Sequence, residues 1–154
     1  MQRKKFKVGI NAPPSVVYDK MLGIRNKNTY HQWAKVFDPS SRYEGSWEEG
    51  SKIRFVGESE EGTPQGIFCV VTKNVPSQYL SMRTQGLIEN GVEITDGAGL
   101  AQWQNLEESY HYEEADGLTM LTVEVEIPDD YVEIFSSLWP KALDELKSIV
   151  EEIQ

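Results

Sequence analysis

Histidine and cysteine are nearly absent from this chain: His31, His111 and Cys69 are the whole supply among 154 residues. A zinc centre needs three or four Cys, His or carboxylate ligands at characteristic spacing, and these three residues are too widely separated to provide one. No metal and no cofactor is expected. A single cysteine forms no internal disulfide, so nothing points to an oxidising compartment. No GxSxG, P-loop or dinucleotide fingerprint occurs. No stretch approaches the roughly eighteen consecutive apolar residues of a membrane span, and the basic MQRKKFKVGI has no apolar segment behind it. Neither a membrane span nor a secretory signal is expected, and the cytoplasm is the default location. Positive charge is scarce too. Fifteen Lys and Arg face twenty-five Asp and Glu, for a formal charge of −10, which repels nucleic-acid phosphates and anionic headgroups and argues against a nucleic-acid partner.

What remains is a globular composition, 39% hydrophobic and 26% charged, without repeat, low-complexity tract or linker, so one domain over 1–154 is expected. Phe6, Val8 and Ile10 alternate with polar or small residues, the period of a strand with one buried face. APPSVVYDKML then opens a helix: Pro13 and Pro14 suit its first turn, and Val17, Tyr18, Met21 and Leu22 form its buried stripe. A second short helix carries Tyr30, Trp33, Ala34 and Phe37.

From residue 41 the pattern turns to strands divided by turn residues: SRYEGSW, KIRFVG, GIFCVVTKNV and YLSMRTQ, then NLEESYHYEE and LTMLTVEVEI joined at Asp116-Gly117, a pair suited to a tight hairpin. In the last strand Leu121, Val123, Val125 and Ile127 face inward while Thr122, Glu124 and Glu126 face water. A final helix follows, with Asp130 as its cap and Glu133 reaching back. Its apolar positions are Tyr131, Ile134, Phe135, Leu138, Trp139, Ala142, Leu143, Leu146, Ile149, Val150 and Ile153, a stripe broad enough to need a wide surface beneath it. Pro140 lies inside this helix, where proline removes a hydrogen bond and costs roughly 3 kcal/mol. A helix bent over a curved, partly hollow sheet accommodates it, as does the same bend over a filled core. The order of elements predicts an α+β fold of about seven strands, a curved antiparallel sheet around a long C-terminal helix, with two short helices between the first two strands.

Four segments in this order, INAPPSVVYDKML, Trp33, YEGSWEEGSKIRF and IPDDYVEIFSSLWPKALDELKSIVEE, resemble the helix-grip (START/Bet v 1-like, SRPBCC) superfamily of lipid-transfer domains, polyketide cyclases and the birch-pollen allergen. Within it they are most similar to homologues of the heat shock protein 90 ATPase activator. The resemblance covers the whole chain and implies a helix-grip sheet with an internal pocket for a small apolar or amphipathic molecule. The segment 92–104, with Gly97 and Gly99, is either a short helix or a mobile lid.

Trp33, Phe37, Trp47, Phe55, Phe68, Trp103, Tyr110, Tyr112, Phe135 and Trp139 come from both helices and several strands, and a grip fold converges them on one interior as pocket walls or as core. Tyr79 and Arg83, on one face of the fifth strand, are candidates for a polar end. Cys69, in the apolar run GIFCVV, packs as a small hydrophobe. His111 shares a strand face with Glu107, Ser109 and Glu113, either as an acid–base pair or as a solvated face; Tyr110, Tyr112 and Glu108 share the other. His31 reads as an exposed helix residue. The leading expectation is a non-catalytic module binding a small apolar or amphipathic ligand, as monomer or dimer. The alternatives are a co-chaperone-like domain that docks on a chaperone through its acidic surface, and a cyclase or hydrolase using Tyr110, Tyr112, His111 or Glu108 around the same pocket.

Overall fold

The computed structural model describes residues 1–97 and 99–152. Strand β1 (Gln2–Ile10) leads into helices α1 (Pro14–Leu22) and α2 (Lys27–Ala34). Strands β2 (Arg42–Gly45), β3 (Lys52–Glu58), β4 (Pro64–Val75), β5 (Tyr79–Glu89), β6 (Val92–Ile94), β7 (Glu107–Ala115) and β8 (Leu118–Ile127) follow, and α3 (Val132–Glu152) ends the described chain. All eight strands join one antiparallel sheet in the order β1-β8-β7-β5-β4-β3-β2, with the short β6 beside β5. This is the expected helix-grip α+β fold with one strand more than anticipated, because Asn90-Gly91, both at positive φ, fold β5 back into β6. The hairpin at Asp116-Gly117 has the same pair of left-handed residues.

The burial patterns follow the sequence closely. Val17, Tyr18, Met21 and Leu22 are buried along α1, and Leu121, Val123, Val125 and Ile127 along β8. Gly23 at φ 68° closes α1, and the Asn26 side chain caps α2 by accepting from the Asn28 amide. The carbonyl that ends α1 is not left to water. Tyr43 Oη and Trp47 Nε1 both donate to Leu22 O, at 2.8 and 3.0 Å. Irregular register in β4, between Phe68 and Cys69 and between Val71 and Lys73, supplies the local twist that lets a long sheet curl.

The start and middle of α3 depart from expectation. A 3₁₀ turn, Asp129–Tyr131, opens the helix, with the Val132 amide donating to Asp129 O; it takes the place of the Asp130 and Glu133 capping box. Ile134, assigned to the buried stripe, is 54% exposed, whereas Trp139, Ala142, Leu143, Leu146, Ile149 and Val150 are buried as expected. Ile153 lies outside the described residues. The helix runs through Pro140 unbroken, and the proline sits on the solvent face beside the buried Trp139, the side on which a helix wrapped over a core stretches its hydrogen bonds. The segment 92–104 is β6 followed by turns, with Trp103 and Gln104 amides both directed at Leu100 O; among its described residues there is no helix.

Candidate functional site: an aromatic cavity with one carboxyl

The second half of α3 fills the concave face of the sheet and the first half does not. Beneath Phe135 and Trp139 lies a partly open cavity of about 230 Å³. Tyr30, Trp33 and Ala34 reach it from α2, Phe37 and Ser41 from the segment after, and Phe55 from β3. Ile67 and Cys69 come from β4, Met82 and Thr84 from β5, Glu108 and Tyr110 from β7, and Val125 and Ile127 from β8. The alternation of each strand explains these choices, since every second side chain of a half-buried strand points at the concave side.

A run of ring contacts surrounds the cavity. Trp103 meets Tyr131 at 4.9 Å, Tyr131 meets Phe135 at 6.0 Å, Phe135 meets Phe37 at 6.1 Å and Phe37 meets Trp139 at 4.9 Å between centroids. Trp103, Tyr131, Phe135 and Phe37 are all half-buried. Behind them Trp33 is fixed by donation of Nε1 to Met21 O at 2.8 Å and stacks obliquely on Trp139, 6.0 Å away.

Glu108 is the exception in this apolar setting. It follows the same alternation as Tyr110 and Tyr112, so β7 places its carboxyl inside. Burial pushes that carboxyl up to about 7, and donation from the Tyr110 hydroxyl to Oε2 is the force acting the other way. Burial first, and then the neighbouring Glu108 charge, raises the Tyr110 phenol well above its ordinary value. Burial likewise pushes the Cys69 thiol up to about 12; with its Sγ 3.7 Å from Thr84 Oγ1, it is a packed, unreactive thiol at neutral pH. Among the described residues no group of three or more His, Cys, Asp or Glu is placed to hold a metal ion.

Of the residues singled out from the sequence, Trp33, Phe37, Phe55, Trp103, Tyr110, Phe135 and Trp139 line the cavity, and five do not. Trp47 packs against Tyr43 and Phe55 under α1. Phe68 joins Val56 and Ile88 in a small separate cluster, with Lys52 Nζ 5.4 Å from its ring. Tyr112 lies at the α1 end of the core, edge-on to Tyr18, with its hydroxyl 3.1 Å from Met21 Sδ. Tyr79 and Arg83 do share a face, but it is the outer one. Tyr79 packs on His111 at 4.6 Å and Arg83 is exposed, because Leu80, Met82 and Thr84 take the inward positions of β5. His111 is therefore outside the cavity. His31 is half-buried rather than exposed, with Nδ1 2.9 Å from Ser41 O. Glu108, Tyr30 and Thr84 were absent from the predicted binding set. The available signals were the β7 alternation for Glu108, the α2 stripe for Tyr30, and the inward phase of β5, one residue from Arg83, for Thr84.

No family model and no curated protein matches this chain. Solved structures do. A protein of Nitrosomonas europaea superposes with a TM-score of 0.71 at 13% identity, covering 97% of this chain and 94% of its own. The Aha1 dimer from Colwellia psychrerythraea gives 0.69 at 18% identity over 98% and 97%. CalU16 from Micromonospora echinospora gives 0.64 at 15% over 96% and 75%. At these identities the likeness establishes the fold and leaves the function to the site.

Proposed function

We propose that this protein is a non-catalytic binding domain that takes one small apolar or amphipathic molecule into the cavity beneath the first half of α3. The observation that supports this most directly is the cavity itself. Seven aromatic side chains chosen from the sequence converge on about 230 Å³ of unfilled space, where apolar burial contributes about 25 cal/mol per Å². The experiment is a screen of hydrophobic dyes and lipids followed by native mass spectrometry, with a Phe135→Trp variant that narrows the space. The reading requires a one-to-one complex that the variant weakens. A protein that binds none of these compounds, or binds equally with the space narrowed, removes it.

Enzymatic turnover in the same pocket is the second reading, and the Glu108–Tyr110 contact favours it: two titratable groups lie within hydrogen-bonding reach inside the cavity. The histidine version loses its support, because His111 faces outward and His31 is bound to a backbone carbonyl. The co-chaperone reading rests on the acidic surface and on likeness of fold to the Aha1 dimer, and stimulation of a chaperone ATPase tests it. Light scattering distinguishes monomer from dimer.

A further inference from the structure

The cavity carries acid without base. No Lys, Arg or His is among the residues that line it. Glu107 and Glu126 border it, but the strand alternation sends their side chains to the outer face. There Arg3 Nη2 donates to Glu126 Oε2 at 2.7 Å and stands 4.0 Å from Glu107. Glu108 has no such counter-charge. Its Oε2 accepts from the Tyr110 hydroxyl, and among the described residues no protein donor meets Oε1. The carboxyl is half-buried on the wall of a partly open cavity, so a cationic group entering that cavity meets an acid with no counter-charge from the protein.

We infer that the ligand of this cavity is a small apolar amine, held as its ammonium ion with the charge at Glu108 and the hydrocarbon part among Trp33, Phe37, Trp103, Tyr110, Phe135 and Trp139. This rests on the reading of the cavity as a binding site and narrows it to one chemical class. Two independent features select the cation. An ionised carboxyl attracts it, and aromatic faces carry negative quadrupole charge that attracts ammonium groups and repels anions. A fatty acid or other apolar anion meets the opposite of both. A neutral molecule of the same shape gains only the burial.

The inference has a proton signature. The groups around Glu108 are Tyr30 from α2, Cys69 from β4 and Tyr110 from β7, all raised by burial and protonated at neutral pH. The bordering Glu126 is held low: burial works against this, but the hydrogen bonds from Arg3 and the Glu107 amide outweigh it. Between pH 5.5 and 8 the inward-facing group that exchanges a proton is therefore Glu108. An arriving ammonium favours its ionised form, so the amine displaces a proton from Glu108 into solvent at pH 6.

Three probes of one shape make the test: 2-naphthylmethylamine, 2-naphthylmethanol and 2-naphthoic acid, titrated calorimetrically into the wild-type protein and Glu108→Gln. In the wild type at pH 8 the amine binds at least about tenfold tighter than the alcohol, and the acid weakest. At pH 6 the binding heat of the amine varies with the ionisation enthalpy of the buffer, reporting release of close to one proton. Glu108→Gln abolishes the proton release and cuts the preference for the amine over the alcohol to the part that the aromatic faces supply. If the alcohol binds and the amine is not preferred, or the acid equals the amine, the amine inference fails while the binding reading stands. If none of the three binds to folded protein, the amine inference fails, and the dye and lipid screen decides the binding reading. The proton measurement uses the wild type alone, so it decides the inference even if the variant does not fold.

Discussion

Replacing Glu108 by glutamine removes an acid whose ionised form the fold disfavours, and the consequence is a pH-dependent gain in stability. The carboxyl sits at about 7 in the folded chain against an ordinary value of 4.5, burial being the main cause. Between those two pH values the unfolded chain has released the proton and the folded chain still holds it. The folded state then binds more protons than the unfolded one, and stability falls as pH rises. Its contribution is fully present below pH 4.5, declines up to about pH 7 and is lost above. The difference is on the order of 3 kcal/mol. Glutamine keeps the shape and an oxygen to accept from Tyr110 but has no proton to lose. Relative to the wild type, Glu108→Gln is therefore nearly neutral at pH 4.5 and more stable by about 3 kcal/mol at pH 8, roughly 6–12 °C in Tm for a chain of this size. Thermal and urea unfolding of both proteins from pH 4.5 to 8.5 measures this. Comparing the two proteins cancels every other titrating group. Parallel stability curves, or a variant that is weaker at pH 8, would show that Glu108 is not an enclosed, uncompensated acid.

Two further changes test the surroundings of that group. Tyr110→Phe deletes the donor that favours ionised Glu108, so the midpoint moves above about 7 in a carboxyl carbon NMR titration; a lower midpoint would contradict the hydrogen bond. Thr119→Val tests the tie between β8 and the entry to α1. The Thr119 hydroxyl, fully buried, donates to Ala12 O at 2.6 Å, and leaving that carbonyl unpaired costs roughly 1–3 kcal/mol in urea unfolding. A shift below about 0.5 kcal/mol would mean that water reaches the carbonyl.

The legible parts of the fold were those governed by a single local period. Val17, Tyr18, Met21 and Leu22, the inward set of β8, and Trp139 through Val150 all lie where spacing places them. Three kinds of feature were not legible that way. Strand β6 has only three residues, too few to show alternation, although Asn90-Gly91 marks its turn. Ile134 belongs to the helical stripe by spacing but is exposed, and only tertiary packing decides that. The third is sheet phase. Tyr79 and Arg83 were read together, but alternation alone does not say which face of a strand is concave. That is fixed by pairing with β4 and β7, which puts Leu80, Met82 and Thr84 inward. The same uncertainty of face explains why Phe68 was counted with the cavity and sits with Val56 and Ile88 instead.

The position of the cavity follows from the sheet's own irregularity. Strand β5 pairs with β7 only from Tyr79 to Arg83, and with β6 only from Leu87 to Glu89. Between these stretches Thr84 bonds to the loop before β7, accepting from the Asn105 amide and donating its own amide to Leu106 O. The pairing of β5 with β7 thus ends at Thr84, and the loop carrying Trp103 and Leu106 leads into β7 at that point. Both residues line the cavity, as do Thr84 itself and Glu108, the second residue of β7. A continuous β5–β7 ladder would extend the sheet under α3 and carry the Trp103 loop away from Tyr131 and Phe135. Unfilled space and an acid without a counter-charge each reduce stability, and here they occur where the β5–β7 ladder ends. A ligand that fills the one and neutralises the other relieves both costs together, which is why this place, rather than the histidines or the cysteine, is where function is expected.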